Sequence, residues 1–296
     1  MIDKSVSGAV LRIIEAFLKN QQIKITRFYY FIYNIIFILE CQYLTNLLTI
    51  FFLYNIIDYI PKSVIKMYFN RYHFNSISST STYASVNAEK IKTPALIIAD
   101  EQTCGRGRTG KSFYSPAGSG LYFNLLIRSE DPPKNITPAA AVSVCRAIEN
   151  LSDLKPGIKW VNDIFVGGKK VCGILCESFI RNSERYVSVG IGINLTTEVF
   201  PDELTQAGSI GNIDREKLIE EISSYIGAYF EFPCRFDIAS EYDKRLFIKG
   251  MQIEYLINNE RFNAEVIGIN ESCNLKIRNS NGTESVLASG EISIII

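Results

Sequence analysis

Gln102-Thr-Cys-Gly-Arg-Gly-Arg-Thr-Gly-Lys111 follows directly on Ala95-Leu-Ile-Ile-Ala-Asp100. The apolar run before the loop reads as a buried strand, and Leu121 to Ile127 beyond it reads as a second. Between them, Gly105, Gly107 and Gly110 leave the backbone free to turn and to approach a ligand closely. Arg106, Arg108 and Lys111 place three positive charges within six residues, a loop suited to an anion. Two guanidinium groups add forked hydrogen bonding to phosphate or carboxylate, which a lysine does not provide. The loop has no GxxxxGK[ST] pattern. It matches the dinucleotide fingerprint GxGxxG only in its glycines, with arginines between them and no helical pattern after it. Read alone, it is equally a flexible basic surface loop.

Downstream, Thr137 before Pro138 predicts a helix with Thr137 as its cap and Pro138 at its first position. Ala140, Val144, Ala147 and Ile148 form its apolar face, and it ends near Asn150. Lys159-Trp-Val-Asn-Asp-Ile164 puts an indole, an amide and a carboxylate at a strand end. In isolation Trp160 is core and Asn162-Asp163 an ordinary turn. Gly167-Gly168 between two apolar runs predicts a tight hairpin, with Lys170 at the start of the second strand. Tyr186 to Ile193 reads as a further strand, and Asp214 to Phe230 as a helix with one buried side. From Gly250, five short strands (Gln252 to Ile257, Phe262 to Ile269, Leu275 to Arg278, Ser285 to Ala288, Ile292 to Ile295) predict a small all-β barrel.

Composition narrows the chemistry. Lys plus Arg and Asp plus Glu are both 31 among 296 residues, so there is no global field to steer nucleic acid, and any anion site is local. Seven scattered cysteines without a CxxC pair fit a reduced, cytoplasmic compartment. The one histidine, His73, excludes metal sites that need two, and its aromatic strand-like setting predicts a packed structural role.

Residues 1–66 differ from the rest, being rich in Ile, Phe, Tyr and Asn and nearly free of Gly. The runs Phe28 to Leu39 and Tyr43 to Ile57 are shorter than the ~20 apolar residues of a spanning helix, which makes a membrane tether the minority reading. Val6 to Asn20 has the pattern of an amphipathic helix, but no polar recognition helix follows it to complete a DNA-binding pair. The bias is also that of translated AT-rich sequence, with Met67 as an alternative start. Residues 1–66 are therefore expected to be an extension without a function of its own.

Taken in order, Gly105-Arg-Gly-Arg-Thr-Gly110, Lys159-Trp-Val-Asn-Asp163, Lys170-Val-Cys-Gly-Ile-Leu175, Gly190-Ile-Gly-Ile-Asn194 and Ser289-Gly-Glu-Ile-Ser293 resemble the biotin protein ligase family. The resemblance runs from about Tyr68 to Ser293. It implies an α+β fold in which a mixed sheet is flanked by helices, a class II synthetase-like biotin/lipoate ligase catalytic domain over residues 67–246. A small C-terminal SH3-like β-barrel is then expected over residues 247–296.

The same resemblance implies the site. Ser79, Thr80 and Ser81 stand where the family has Ser-Thr-Asn and would meet the ureido head of biotin. Gln102 would join them, since an amide both donates and accepts. Arg106, Gly107 and Arg108 would close over the biotin carboxylate and the ATP phosphates, and Lys170 would neutralise carboxylate and α-phosphate as they approach. Arg106, Arg108 and Lys170 are thus the expected catalytic groups. Thr109 replaces a further Arg of some members, with Lys111 as its substitute.

Val161 stands at the family's usual Pro, a change of little effect if the backbone stays extended. Phe113 stands at a common Trp and would stack on adenine. Asn162 and Asn194 are expected at the nucleotide, Asp163 at Mg2+, and Gly173 where biotin passes close. ATP and Mg2+ are the implied cofactors, biotin the substrate, and a biotin carboxyl carrier protein or biotin-dependent carboxylase the acceptor. An oligomer is compatible with the sequence, and no DNA partner is expected. A lipoate ligase, a biotin-responsive DNA-binding repressor and a membrane-tethered protein remain as alternative readings.

Overall fold

The structure is a computed structural model that describes residues 67–257, 260–288, 290 and 292–294. The readings made for residues 1–66 lie outside the described residues. Residues 66–296 make one compact unit containing two sheets.

The larger sheet has seven strands: β1 (Asn70–Phe74), β2 (Ala95–Ala99), β3 (Gly120–Arg128), β4 (Gly157–Lys159), β5 (Asp163–Val166), β6 (Lys169–Arg181) and β7 (Glu184–Asn194). Their order is β1-β2-β3-β7-β6-β5-β4, with β1 parallel to β2 and the other pairs antiparallel, so the expected mixed sheet is observed. Strand alternation assigns the two faces. Leu96, Ile98, Leu121, Phe123 and Leu125 pack with helix α2 (Ile136–Leu151), while Ala95, Ile97 and Leu126 pack with Ala84 of helix α1 (Thr80–Asn87) and with its C-cap Ala88. Helix α3 (Arg215–Glu231) lies against α2 and buries Leu218, Ile219, Ile222 and Ile226 on one side, as its periodicity predicts. A short helix α4 (Ile238–Asp243) precedes the second sheet.

That sheet contains β8 (Gln252–Ile257), β9 (Glu260–Ile269), β10 (Leu275–Asn279), β11 (Glu284–Leu287) and β12 (Ile292–Ile294), all antiparallel, in the order β11-β10-β9-β8-β12. It is compatible with an SH3-like module. The Trp160 indole N–H donates to the Cys273 carbonyl at 3.0 Å, tying the β4–β5 connection to the β9–β10 loop.

Two local readings need correction. Helix α2 begins at Ile136, with Asn135 as its cap in the left-handed region (φ 56°) and no side-chain capping bond; Thr137 and Pro138 lie inside the first turn. Proline is tolerated there because the first backbone N–H groups of a helix have no intrahelical acceptor. His73 is not packed: it lies on edge strand β1, half exposed, with Nε2 3.1 Å from Asp100. The Trp160–Val161 peptide is cis.

Candidate active site

The α1-facing side of the sheet carries unusually small residues where β3, β7 and β6 adjoin. Asn124 pairs with Gly190, Tyr122 with Gly192, and Gly192 with Gly173. Glycine in a strand interior leaves a gap in the side-chain layer that another group can enter. Here the Phe113 ring enters it: a Cβ built on Gly192 would lie 2.4 Å from that ring, and one on Gly173 3.1 Å. Above this floor is a cavity of about 340 Å³.

The start of α1 borders the cavity. Ser79 accepts from the Thr82 backbone N–H at 3.4 Å and acts as a helix cap outside the cavity lining. Thr80 and Ser81 do line it. The Gln102 carbonyl oxygen accepts from the Thr80 backbone N–H (2.9 Å) and hydroxyl (3.0 Å), while its amide nitrogen donates to Ser115 Oγ (2.9 Å). Gln102 is therefore held in one orientation by both ends of its amide.

The basic residues line the same cavity. Arg106, Gly107, Arg108 and Lys111 arrive from the loop after β2, Lys159 from β4, and Lys170 from β6. The β5–β6 hairpin positions Lys170: Gly167 (φ 56°) and Gly168 (φ 77°) supply the two left-handed residues of a two-residue turn, as expected. Asp163 is the acidic residue among the lining groups, so in a chain of zero net charge this cavity is strongly positive.

Each of the three expected catalytic cations has a partner. Arg106 makes a forked pair with Glu177 (2.8 and 3.1 Å), Arg108 donates to Asn162 Oδ1 (3.2 Å), and Lys170 pairs with Asp163 (2.8 Å). The two ion pairs are partly exposed, the class in which solvent screening leaves little net attraction, so an incoming polyanion competes readily for the cations.

A second cavity of about 250 Å³ lies next to the first. Asn194 lines this one, with Tyr114, Phe200 and Gln206. Ser112, Phe113, Lys170 and Leu204 line both cavities. Of the expected site residues, then, eleven share the larger cavity (Thr80, Ser81, Gln102, Arg106, Gly107, Arg108, Phe113, Asn162, Asp163, Lys170 and Gly173), Asn194 faces its neighbour, and Ser79 stands behind.

Sequence reasoning missed Ser115, Asn124, Ser188 and Glu177. Ser115 and Asn124 are buried behind the cavity wall, and Glu177 is presented by β6 to Arg106. No local pattern marks them: strand register brings in Asn124, Ser188 and Glu177, and Ser115 of the loop before β3 meets the site through the Gln102 amide. Below the site, burial pushes the Cys172 thiol well above its ordinary range, with Asp163 adding to the rise. Cys172 is accordingly a neutral core residue.

The fold is that of the biotin protein ligases. It superposes on biotin protein ligase from Aquifex aeolicus, solved in complex with biotin and ATP, with a TM-score of 0.66 and 22% identity over 77% of this chain and 99% of that one. It also superposes on a biotin acetyl coenzyme A carboxylase synthetase from Helicobacter pylori, with a TM-score of 0.53 and 21% identity over 74% and 100%.

Residues 73–194 match the sequence model of the Biotin/lipoate A/B protein ligase family, and the resemblance read from the ordered motifs is thereby borne out. The chain is 39% identical to the bifunctional ligase/repressor BirA of Bacillus spizizenii over 42% of this chain and 40% of that protein. It is 36% identical to the biotin--[acetyl-CoA-carboxylase] ligase of Paracoccus denitrificans over 38% and 51%. The chain thus spans about half the length of such curated relatives, or less.

Proposed function

We propose that this protein is an ATP-dependent biotin protein ligase, which condenses biotin with ATP to biotinyl-5′-AMP and transfers biotin to a lysine of a biotin carboxyl carrier protein or acetyl-CoA carboxylase. One observation carries the reading: Arg106, Arg108 and Lys170, from two distant segments, line one cavity together with the neutral polar group Thr80, Ser81 and Gln102. That combination matches a ligand with an uncharged urea head and an anionic tail.

A carboxylate is a poor acyl donor, because its leaving group would be an oxide; joined to AMP in a mixed anhydride, it has a good one. Activation brings the biotin carboxylate onto the α-phosphate, and these two anions repel. The requirement on the protein is orientation together with positive charge at the meeting point. Arg106, Arg108 and Lys170 supply it by exchanging Glu177, Asn162 and Asp163 for ligand oxygens. Phe113 and Asn194 serve the nucleotide, and Gly173 lets biotin pass close to β6.

Mg2+ belongs to this reading. Among the described residues no cluster of three or more histidine, cysteine or acidic side chains could hold a metal alone. A hard cation carried by ATP phosphates and completed by one carboxylate fits the single lining acid. Asp163 and the Asn162 amide oxygen would hold it, and the ion would offset phosphate charge.

The six described cysteines are all free thiols, and no helix among the described residues is long and apolar enough to cross a membrane. Both accord with work in the cytoplasm. The test is biotin-dependent exchange of labelled pyrophosphate into ATP: wild type exchanges, and Arg106→Ala and Lys170→Ala lose it. A folded wild type that exchanges with lipoate instead of biotin, or with neither, overturns the reading.

A further inference from the structure

Behind Ser81 of the cavity wall, Asn124 of β3 is completely buried. Its amide nitrogen donates to two serine hydroxyl oxygens, Ser188 of β7 at 2.7 Å and Ser81 of α1 at 3.2 Å. Its carbonyl oxygen, equally buried, has no hydrogen-bond partner among the described residues. Buried amides in native interiors are normally satisfied at both ends, so this exception requires a reason.

The reason lies in what the amide does to Ser81. A serine oxygen that accepts from Asn124 keeps its own proton for another acceptor, and Ser81 lines the cavity. Turned over, the amide would offer its carbonyl oxygen to both serines and take their protons, leaving Ser81 to face the cavity only as an acceptor. The register adds a constraint. Asn124 pairs with Gly190, and a Cβ built on Gly190 would lie 2.4 Å from Ser81 Oγ and 3.4 Å from the Asn124 amide nitrogen. The glycine thus leaves the space in which the two side chains meet.

We infer that Asn124 is a specificity-determining positioning residue: by holding Ser81 as a hydrogen-bond donor toward the cavity, it selects a substrate head with a carbonyl acceptor, as in a urea. This rests on the reading that biotin is the substrate, and it assigns to Asn124 a role exerted through Ser81.

The test is the pyrophosphate exchange assay with biotin and with 2-iminobiotin, which carries a guanidine in place of the urea carbonyl. In Asn124→Ala the KM for biotin rises about tenfold, the worth of one hydrogen bond between neutral groups. The maximal rate and the KM for ATP hold, and the preference for biotin over 2-iminobiotin shrinks by the same factor. Asn124→Ser, which keeps a polar group in the interior and removes the reach of the amide, gives the same loss should the alanine variant not fold. Ser81→Ala matches Asn124→Ala, and the double variant is no worse than either single one. An unchanged biotin KM and preference in a folded Asn124 variant overturns the inference alone, as do losses that add in the double variant. Absence of biotin-dependent exchange in wild type removes the ligase reading and this inference with it.

Discussion

Lys170 Nζ stands 2.8 Å from the Asp163 carboxylate across the β5–β6 hairpin, so the cation that the proposed function assigns to an incoming anion already has an internal partner. Removing the cation isolates its contribution. Lys170→Ala is expected to lower the maximal rate of biotin-dependent pyrophosphate exchange by about a hundredfold or more, the scale of losing one charge-stabilising donor. Lys170→Arg retains part of that rate. A single-turnover assay of adenylate formation reads the difference, and equal rates in wild type and the alanine variant would show that Lys170 does not serve the reaction.

Asp163→Asn addresses the other partner. Under the proposed function, Mg2+ on the ATP phosphates would lose the one acidic side chain of the cavity wall, so the Mg2+ concentration for half-maximal exchange is expected to rise several-fold. A titration of Mg2+ at fixed ATP checks this. An unchanged midpoint would place the ion elsewhere.

Gly192→Ala brings a methyl group to 2.4 Å from the Phe113 ring, a side chain at the cavity rather than in the core. The ring is expected to be displaced into the cavity, with a thermal midpoint close to wild type and weakened biotin and ATP binding. Adding Phe113→Ala to this variant should recover binding of biotin more than of ATP. Calorimetry on both variants measures it.

Trp160→Phe leaves the buried Cys273 carbonyl without its indole donor, 3.0 Å away in the native protein. The expected destabilisation is about 1–3 kcal/mol, read from urea unfolding. Exchange activity at low temperature is retained, because the indole nitrogen faces the second sheet and not a ligand.

Alkaline pH should unfold the protein. Burial pushes Tyr122 up to about 12 and Cys176 up to about 12, so in both cases the folded state favours the neutral form. The stability from these groups is fully present below the ordinary thiol and phenol values, about 9 and 10, and falls away as pH rises toward about 12. Urea midpoints measured upward from pH 8 are expected to hold to about pH 9 and then decline. Tyr122→Phe flattens the upper part of that decline.

Elements whose cause is local were legible in the sequence. The Gly167-Gly168 hairpin, the strand pair around the basic loop and the buried side of α3 each follow from periodicity or from residues tolerant of left-handed backbone. The first turn of α2 was misread because Asn135 caps it by backbone conformation without a side-chain bond. His73 was misread because nothing local marks β1 as an edge strand. In the site, the basic residues stood out by charge, whereas Glu177, Ser115 and Asn124 did not. Glu177 meets Arg106 across a separation of 71 residues, a pairing that only the assembled sheet creates. The occupation of the glycine floor by Phe113 was equally invisible, since glycines in strands announce space without naming what fills it.

Phe113 is a wall common to both cavities, with Ser112, Lys170 and Leu204 beside it. Any movement of the ring that enlarges one chamber changes the other, so the free energy of filling either depends on whether its neighbour is filled. Thermodynamic linkage makes that dependence reciprocal: the factor by which biotin alters the affinity for nucleotide equals the factor by which nucleotide alters the affinity for biotin. Under the proposed function, Phe113 would thus couple the biotin and nucleotide sites within a single chain.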